Sequence, residues 1–246
     1  MKTAIITDIH ANREAFEACL AHAEGRVDGY AILGDLVGYG ADPGWVVDRV
    51  AGLAADGAPV VRGNHDLGVV EGAEPRMNPD ARQVVEWTRG RLDAAQLAFL
   101  AGLPLEIVAG DYHFVHASPR APRAWEYVNG IREAERAMAA AKARITVCGH
   151  VHQPALYHVG PANRVVRFEP SLDTPIPLRG PRAWLVVPGS AGQPRDGDQA
   201  ACYAVIDQAL ARVTFHRVPY DHETAAAKIR AAGLPESLAR RLTEGG

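Results

Sequence analysis

Five apolar runs in this 246-residue chain each break off at a residue that can bind a cation. Thr3 to Thr7 runs into Asp8-Ile9-His10, and Gly29 to Leu33 into Gly34-Asp35. Ala58 to Val61 leads to Gly63-Asn64-His65-Asp66, Tyr112 to Val115 to His116, and Ile145 to Cys148 to Gly149-His150-Val151-His152. Short apolar runs bounded by turn residues read as buried strands. Strand, helix, strand, helix, strand over the first third implies parallel pairing with right-handed crossovers. In such a sheet the strand ends along one edge form the binding crevice. Residues scattered from position 8 to position 152 are therefore expected to meet at one rim. Taken alone, Gly-Asn-His-Asp is ordinary turn chemistry; its repetition in kind at four other run ends is the constraint.

The chemistry of the set narrows what it can bind. Asp8 and Asp35 offer carboxylates, Asn64 an amide oxygen, and His10, His116, His150 and His152 imidazoles. Oxygen and imidazole donors together suit Mn²⁺, Fe²⁺ or Zn²⁺ better than Mg²⁺. With no thiolate among them, a structural zinc knuckle is excluded. Asp8-x-His10 and His150-x-His152 have period-two spacing, so in extended backbone the members of each pair are expected to point the same way. Seven donors exceed the three or four one ion needs, so two ions sharing a carboxylate is the economical count. His65 can carry a proton near neutral pH.

These motifs, in this order, resemble the calcineurin-like metallophosphoesterases. The resemblance spans nearly the whole chain. It is nearest to a small bacterial branch with a loop like Gly34-Asp35-Leu36-Val37-Gly38-Tyr39-Gly40 and a late loop like Pro188 to Asp198. It implies an α/β fold, a four-layer αββα sandwich of two mixed sheets flanked by helices. It implies Asp8, His10, Asp35 and His152 on one divalent ion and Asp35, Asn64, His116 and His150 on a second, with Asp35 bridging. It makes His65 the general acid in a phosphoester hydrolysis driven by a hydroxide activated between the ions. Asn12 resembles a residue that can touch phosphate. Many relatives carry an acidic residue three positions after the bridging Asp, to orient the histidine; Gly38 stands there, leaving Asp66 as a substitute partner for His65.

The remainder of the chain reads as follows. Helices are expected after the first motif, with Phe16, Cys19, Leu20 and Ala23 on one face, from Asp42-Pro43, from Asn78-Pro79, after the N-cap Asp93, and from Asn129 to Ala143, with a polar loop over Glu71 to Met77. Leu105 to Val115 reads as a hairpin and Ser118 to Tyr127 as a loop. Five further strands follow, at Ala155–Val159, Arg164–Phe168, Ala183–Val187, Ala201–Ile206 and Arg212–Val218, so a second sheet is expected to pack on the first. The tail reads as two helices, His222–Ala232 and Pro235–Leu242. With no low-complexity linker, residues 1–246 read as a single domain.

Composition bounds the partners. At 48% hydrophobic and 22% charged residues the chain has ample core material. A net charge of −3 argues against an extensive nucleic-acid surface. Cys19, Cys148 and Cys202 lie apart in apolar runs and read as reduced core thiols, the usage of a cytoplasmic protein. No signal peptide or membrane span is evident. His22, His113, His158, His216 and His222 read as structural. Tyr39, Arg120, Arg123 and Arg195 flank the crevice loops and are candidates to bind a small phosphoester or nucleotide-type substrate, while solvated loop residues are the simpler reading of each. A dearth of crevice cations favours diesters over monoester dianions. The competing readings are a dinucleoside polyphosphate hydrolase, a protein phosphatase and a non-catalytic metal-binding scaffold; the scaffold is disfavoured because the general-acid histidine and every ligand position are filled.

Overall fold

In the computed structural model, which describes residues 1–73 and 79–246, the chain builds two facing mixed sheets with helices on both outer sides. The strands are β1 (Lys2–Ile6), β2 (Gly29–Ile32), β3 (Glu106–Ala109), β4 (Tyr112–Val115), β5 (Ile145–Val147), β6 (Ala155–Val159), β7 (Val165–Phe168), β8 (Ile176–Pro177), β9 (Trp184–Val187), β10 (Ala201–Asp207) and β11 (Arg212–Val218). The helices are α1 (Arg13–Ala23), α2 (Pro43–Ala55), α3 (Asn64–Glu71), α4 (Pro79–Arg89), α5 (Ala94–Gly102), α6 (Ile131–Ala139), α7 (His222–Ala231) and α8 (Glu236–Glu244). One sheet runs β2-β1-β10-β11-β8 and the other β3-β4-β5-β9-β6-β7.

Period-two alternation assembles the layers. On β1, Ile5 faces the space between the sheets, against Phe114, Val147, Val186 and Phe215. Its neighbours Ala4 and Ile6 face outward, against Phe16 of α1 and Val46 and Val50 of α2. Ala134 and Ala137 of α6 cover the far side of the second sheet, against Val115, Leu185 and Val187. The expected four-layer order is therefore present, with β1–β2 and β4–β5–β9 parallel and the other pairings antiparallel. The three cysteines are buried free thiols. No helix among the described residues is long and apolar enough to cross a membrane.

Local expectations needed correction in several places. Ala58 to Val61 is not a strand but a single bridge, Val60 to Ile32. Pro59 has no N–H to give, and Ala58 and Arg62 donate elsewhere, to Leu53 and Pro104. The Gly-Asn-His-Asp motif is not a turn but the start of α3, which the sequence reading missed along with the two-residue strand β8. Helix α6 is shorter at both ends than the expected 129–143: Gly130 rather than Asn129 is its N-cap, and at the other end the last turn tightens and Lys142 donates its N–H to His113. The loop expected over 71–77 opens with the last residue of α3, and most of it, with the helix start at Asn78, lies outside the described residues.

Candidate metal centre

Loops at one rim of both sheets place the donors, and much of their backbone is left-handed. Asp8, His10, Asp35, His150 and His152 have φ between 49° and 69°, a region that costs a non-glycine residue about 1–3 kcal/mol. The strain is held by hydrogen bonds between loops: Asp8 N–H donates to Gly34 O at 3.1 Å, His10 N–H to Asp35 O at 2.9 Å and Gly149 N–H to His116 O at 2.8 Å. Ser190 Oγ–H and Gly192 N–H both donate to the Asp8 carbonyl, at 2.9 Å each. The extended backbone assumed for the two period-two pairs is therefore absent, and His150 and His152 part company into different clusters.

The first cluster is Asp8, His10, Asp35 and His152, and the second is Asp35, His116 and His150, all buried. His10 Nε2 and His152 Nε2 lie 3.2 Å apart, and His152 Nε2 is 3.2 Å from Asp8 Oδ1. His116 Nε2 lies 3.3 Å from Asp35 Oδ2, 3.2 Å from His150 Nδ1 and 3.2 Å from Asn64 Oδ1. The Asp35 oxygen that faces His116 also lies 3.6 Å from His10 Nε2, so one carboxylate serves both clusters. Its other oxygen accepts the His65 N–H at 2.9 Å.

Three imidazoles are oriented by carbonyls. His10 Nδ1 meets Val37 O at 3.2 Å, His116 Nδ1 meets Leu33 O at 2.7 Å and His152 Nδ1 meets Gln193 O at 2.6 Å. A carbonyl accepts only, so each Nδ1 donates to it and each Nε2 is the nitrogen turned into the centre. His10 Nε2 and His152 Nε2 then face each other across 3.2 Å beside the Asp8 and Asp35 carboxylates, an arrangement a cation can bridge. Asp8 and Asp35 are buried, which alone would raise their pKa values, but His152 beside Asp8 and His116 beside Asp35 outweigh burial and hold both well below the usual carboxylate range. The donors present fit divalent ions of the Mn²⁺, Fe²⁺ and Zn²⁺ kind.

His65 lies over this centre, 4% exposed, its ring 4.4 Å from Tyr39 and 5.0 Å from His10 between centroids. Burial lowers its pKa despite the pull of Asp35. Its Nδ1 has no hydrogen-bond partner among the described residues. A Cβ at Gly38 would come within 2.5 Å of that nitrogen, so position 38 does face the ring although it brings no carboxylate. Asp66 does not replace it. Its carboxylate accepts from Leu36 N–H at 2.8 Å, Val37 N–H at 3.2 Å and Gly63 N–H at 2.9 Å, tying the second loop to the third. Asp66→Asn is expected to cost about 1–3 kcal/mol, because an amide nitrogen turns a donor toward buried donors. Urea unfolding checks this; unchanged stability with impaired turnover would return Asp66 to the role of His65 partner.

The other sequence candidates fare unequally. Asn12 is buried with its amide fully engaged: the oxygen caps α1 at Ala15 N–H, and the nitrogen donates to Gly192 O and Tyr220 Oη. It has no donor left for phosphate and is a loop anchor. Arg120 and Arg123 are exposed and paired with Glu126 and Glu71, which cancels the charge each would bring. Arg195 meets no carboxylate among the described residues; Gln193 Oε1 accepts from its Nη2 at 2.9 Å, and its guanidinium lies 5.8 Å from the Tyr39 ring centroid. The sequence reading gave no role to Tyr127, whose ring stacks on His150 at 4.1 Å, or to Gln193, whose carbonyl orients His152. Gln193 could have been found, since it belongs to the late loop; nothing local marks Tyr127.

The comparisons agree with this geometry. Residues 1–209 match the family model described as the calcineurin-like phosphoesterase superfamily domain. An uncharacterized protein of Methanocaldococcus jannaschii is 33% identical over 248 residues, covering 97% of this chain and 96% of its own. The crystal structure of a metallophosphoesterase from Sphaerobacter thermophilus is 39% identical and superposes over 100% of both chains with a TM-score of 0.89. A hypothetical protein of Pyrococcus horikoshii, 21% identical, shares the fold with a TM-score of 0.80 over 100% of this chain and 98% of its own.

Proposed function

Because the chain belongs to the calcineurin-like phosphoesterase superfamily, metal-dependent hydrolases of phosphoester bonds, we propose that it cleaves small phosphodiesters at a centre of two divalent ions, with His65 as general acid. The observation that carries this reading is the Asp35 carboxylate, which stands in both donor clusters with imidazole nitrogens converging on either side. Asp8, His10, Asp35 and His152 would hold one ion, and Asp35, Asn64, His116 and His150 the other. Bound there, Mn²⁺, Fe²⁺ or Zn²⁺ supplies an activated water and neutralises phosphoryl oxygens.

The protein's own groups do the rest. The carbonyls of Val37, Leu33 and Gln193 keep three imidazoles in the ligand tautomer without spending a charge. Tyr39 packs against both His10 and His65 and shields that side from water. His65 can present its outer nitrogen to the departing oxygen, since its backbone N–H is fixed on Asp35 and its ring is wedged between Tyr39 and His10. A proton delivered there is worth about 10²–10⁴ in rate. His65→Ala is therefore expected to keep its metal, by elemental analysis, while kcat falls by about that factor on a diester with an alkyl leaving group. Full activity in that variant would remove the acid role.

The reading as a whole is tested by chelation. Exhaustive dialysis against a chelator abolishes hydrolysis of bis(4-nitrophenyl) phosphate, and adding back Mn²⁺, Fe²⁺ or Zn²⁺ restores it. Hydrolysis that survives complete metal removal would defeat the proposal.

A further inference from the structure

Of the three arginines that the sequence offers as substrate contacts, Arg120 and Arg123 are neutralised by glutamates, while Arg195 meets no carboxylate among the described residues. It is not a loose surface cation. Gln193, 1% exposed, is fixed by the Ser190 hydroxyl, which accepts the Gln193 N–H at 2.9 Å. Its side-chain oxygen accepts from both Arg195 Nε at 3.3 Å and Nη2 at 2.9 Å. Arg195 N–H also donates to the His152 carbonyl at 3.3 Å. The guanidinium is thus held beside Tyr39, and Tyr39 is the residue packed on His65.

A hollow of about 290 Å³ opens against Tyr39, lined also by Pro79, Asp80, Leu238 and Arg241. Arg241 meets no carboxylate within 4 Å among the described residues, and the Asp80 carboxylate is occupied by the Ser237 hydroxyl at 2.8 Å. The α8 end that carries Arg241 is joined to the Arg195 loop, since Gly197 N–H donates to Gly245 O at 2.9 Å. Among the described residues, two arginines with no carboxylate partner, Arg195 and Arg241, thus both border Tyr39, on the side of the centre where His65 stands. Arginine left unpaired and pre-oriented by a buried amide matches an oxyanion.

The geometry points to a leaving-group subsite for a second anion: the preferred substrates are phosphoesters whose departing alcohol itself carries a phosphate, held by Arg195 and Arg241 across Tyr39. The inference rests on the assignment of His65 to the leaving-group side and names the substrate class the diester reading left open. A charged hydrogen-bonding contact of this kind is worth roughly 10–100-fold in affinity.

The test uses a thymidine dinucleotide with and without a terminal phosphate, at either end. In the wild-type protein loaded with Mn²⁺, the added phosphate is expected to raise kcat/KM at least about 10-fold at one end, chiefly through KM. In Arg195→Gln and Arg241→Gln that ratio falls toward one, and Arg195→Lys restores part of it. Equilibrium binding of the same compounds to the chelated protein should show the same preference without turnover. An unchanged ratio in both glutamine variants, or no wild-type preference in either assay, overturns the subsite. Preferential binding that persists while neither dinucleotide is hydrolysed upholds the subsite and instead refutes the diesterase reading.

Discussion

Asp35→Ala is expected to lose hydrolysis by far more than the 10–100-fold typical of removing a group that merely supports a metal ligand, with metal content falling at both proposed positions. The size of the effect follows from geometry. Asp35 Oδ2 lies 3.6 Å from His10 Nε2 and 3.3 Å from His116 Nε2, and its Oδ1 accepts the His65 N–H at 2.9 Å. One truncation removes a ligand from each proposed ion and frees the backbone of His65, the proposed general acid. His152→Ala removes a donor from the first cluster only. Elemental analysis of both variants should show Asp35→Ala holding little of either ion and His152→Ala retaining the second. Two ions retained in Asp35→Ala would show that the carboxylate does not bridge.

Gly63→Ala is expected to destabilise the protein by about 3 kcal/mol or more, although its backbone, at φ −97° and ψ 174°, suits alanine. The penalty is steric. A Cβ there would lie 2.8 Å from Asp35 Cγ and closer still to Asp35 Oδ1 and its backbone nitrogen, none of which is the yielding end of a flexible side chain. For a chain of this length that is a fall of about 6–12 °C in melting temperature. Gly102→Ala is the control, since nothing lies within 4 Å of its Cβ position, and it should melt within a degree or two of wild type. Equal behaviour of the two variants would mean that the third loop does not press on Asp35 as described.

The layers were legible because a strand buried on both faces must be apolar throughout: Ala4, Ile5 and Ile6 form an unbroken apolar run, and in the fold they alternate between two cores. Where the reading failed, pairing partners outvoted local pattern. Ala58 to Val61 is apolar enough for a strand, yet Pro59 cannot donate and its neighbours bond to Leu53 and Pro104. Asn64 to Glu71 carries Gly68 within it and looks like loop, yet the Asp66 carboxylate accepts the Gly63 N–H and starts a helix there.

The identity of the donors, their order along the chain and the family they announce were all present in the amino-acid sequence, because each motif is a short run whose residue types alone decide which cations they suit. Residue spacing and donor type alone did not divide those donors into two clusters; the family resemblance implied a division, and only the tertiary structure supplies the geometry behind it. Left-handed backbone at Asp8, His10, His150 and His152 turns the pairs in directions that residue spacing does not encode. The same holds for charge. Whether Arg120, Arg123 or Arg195 stays free for an anion depends on which carboxylates the fold brings alongside, and those partners arrive through space from Glu126 and Glu71.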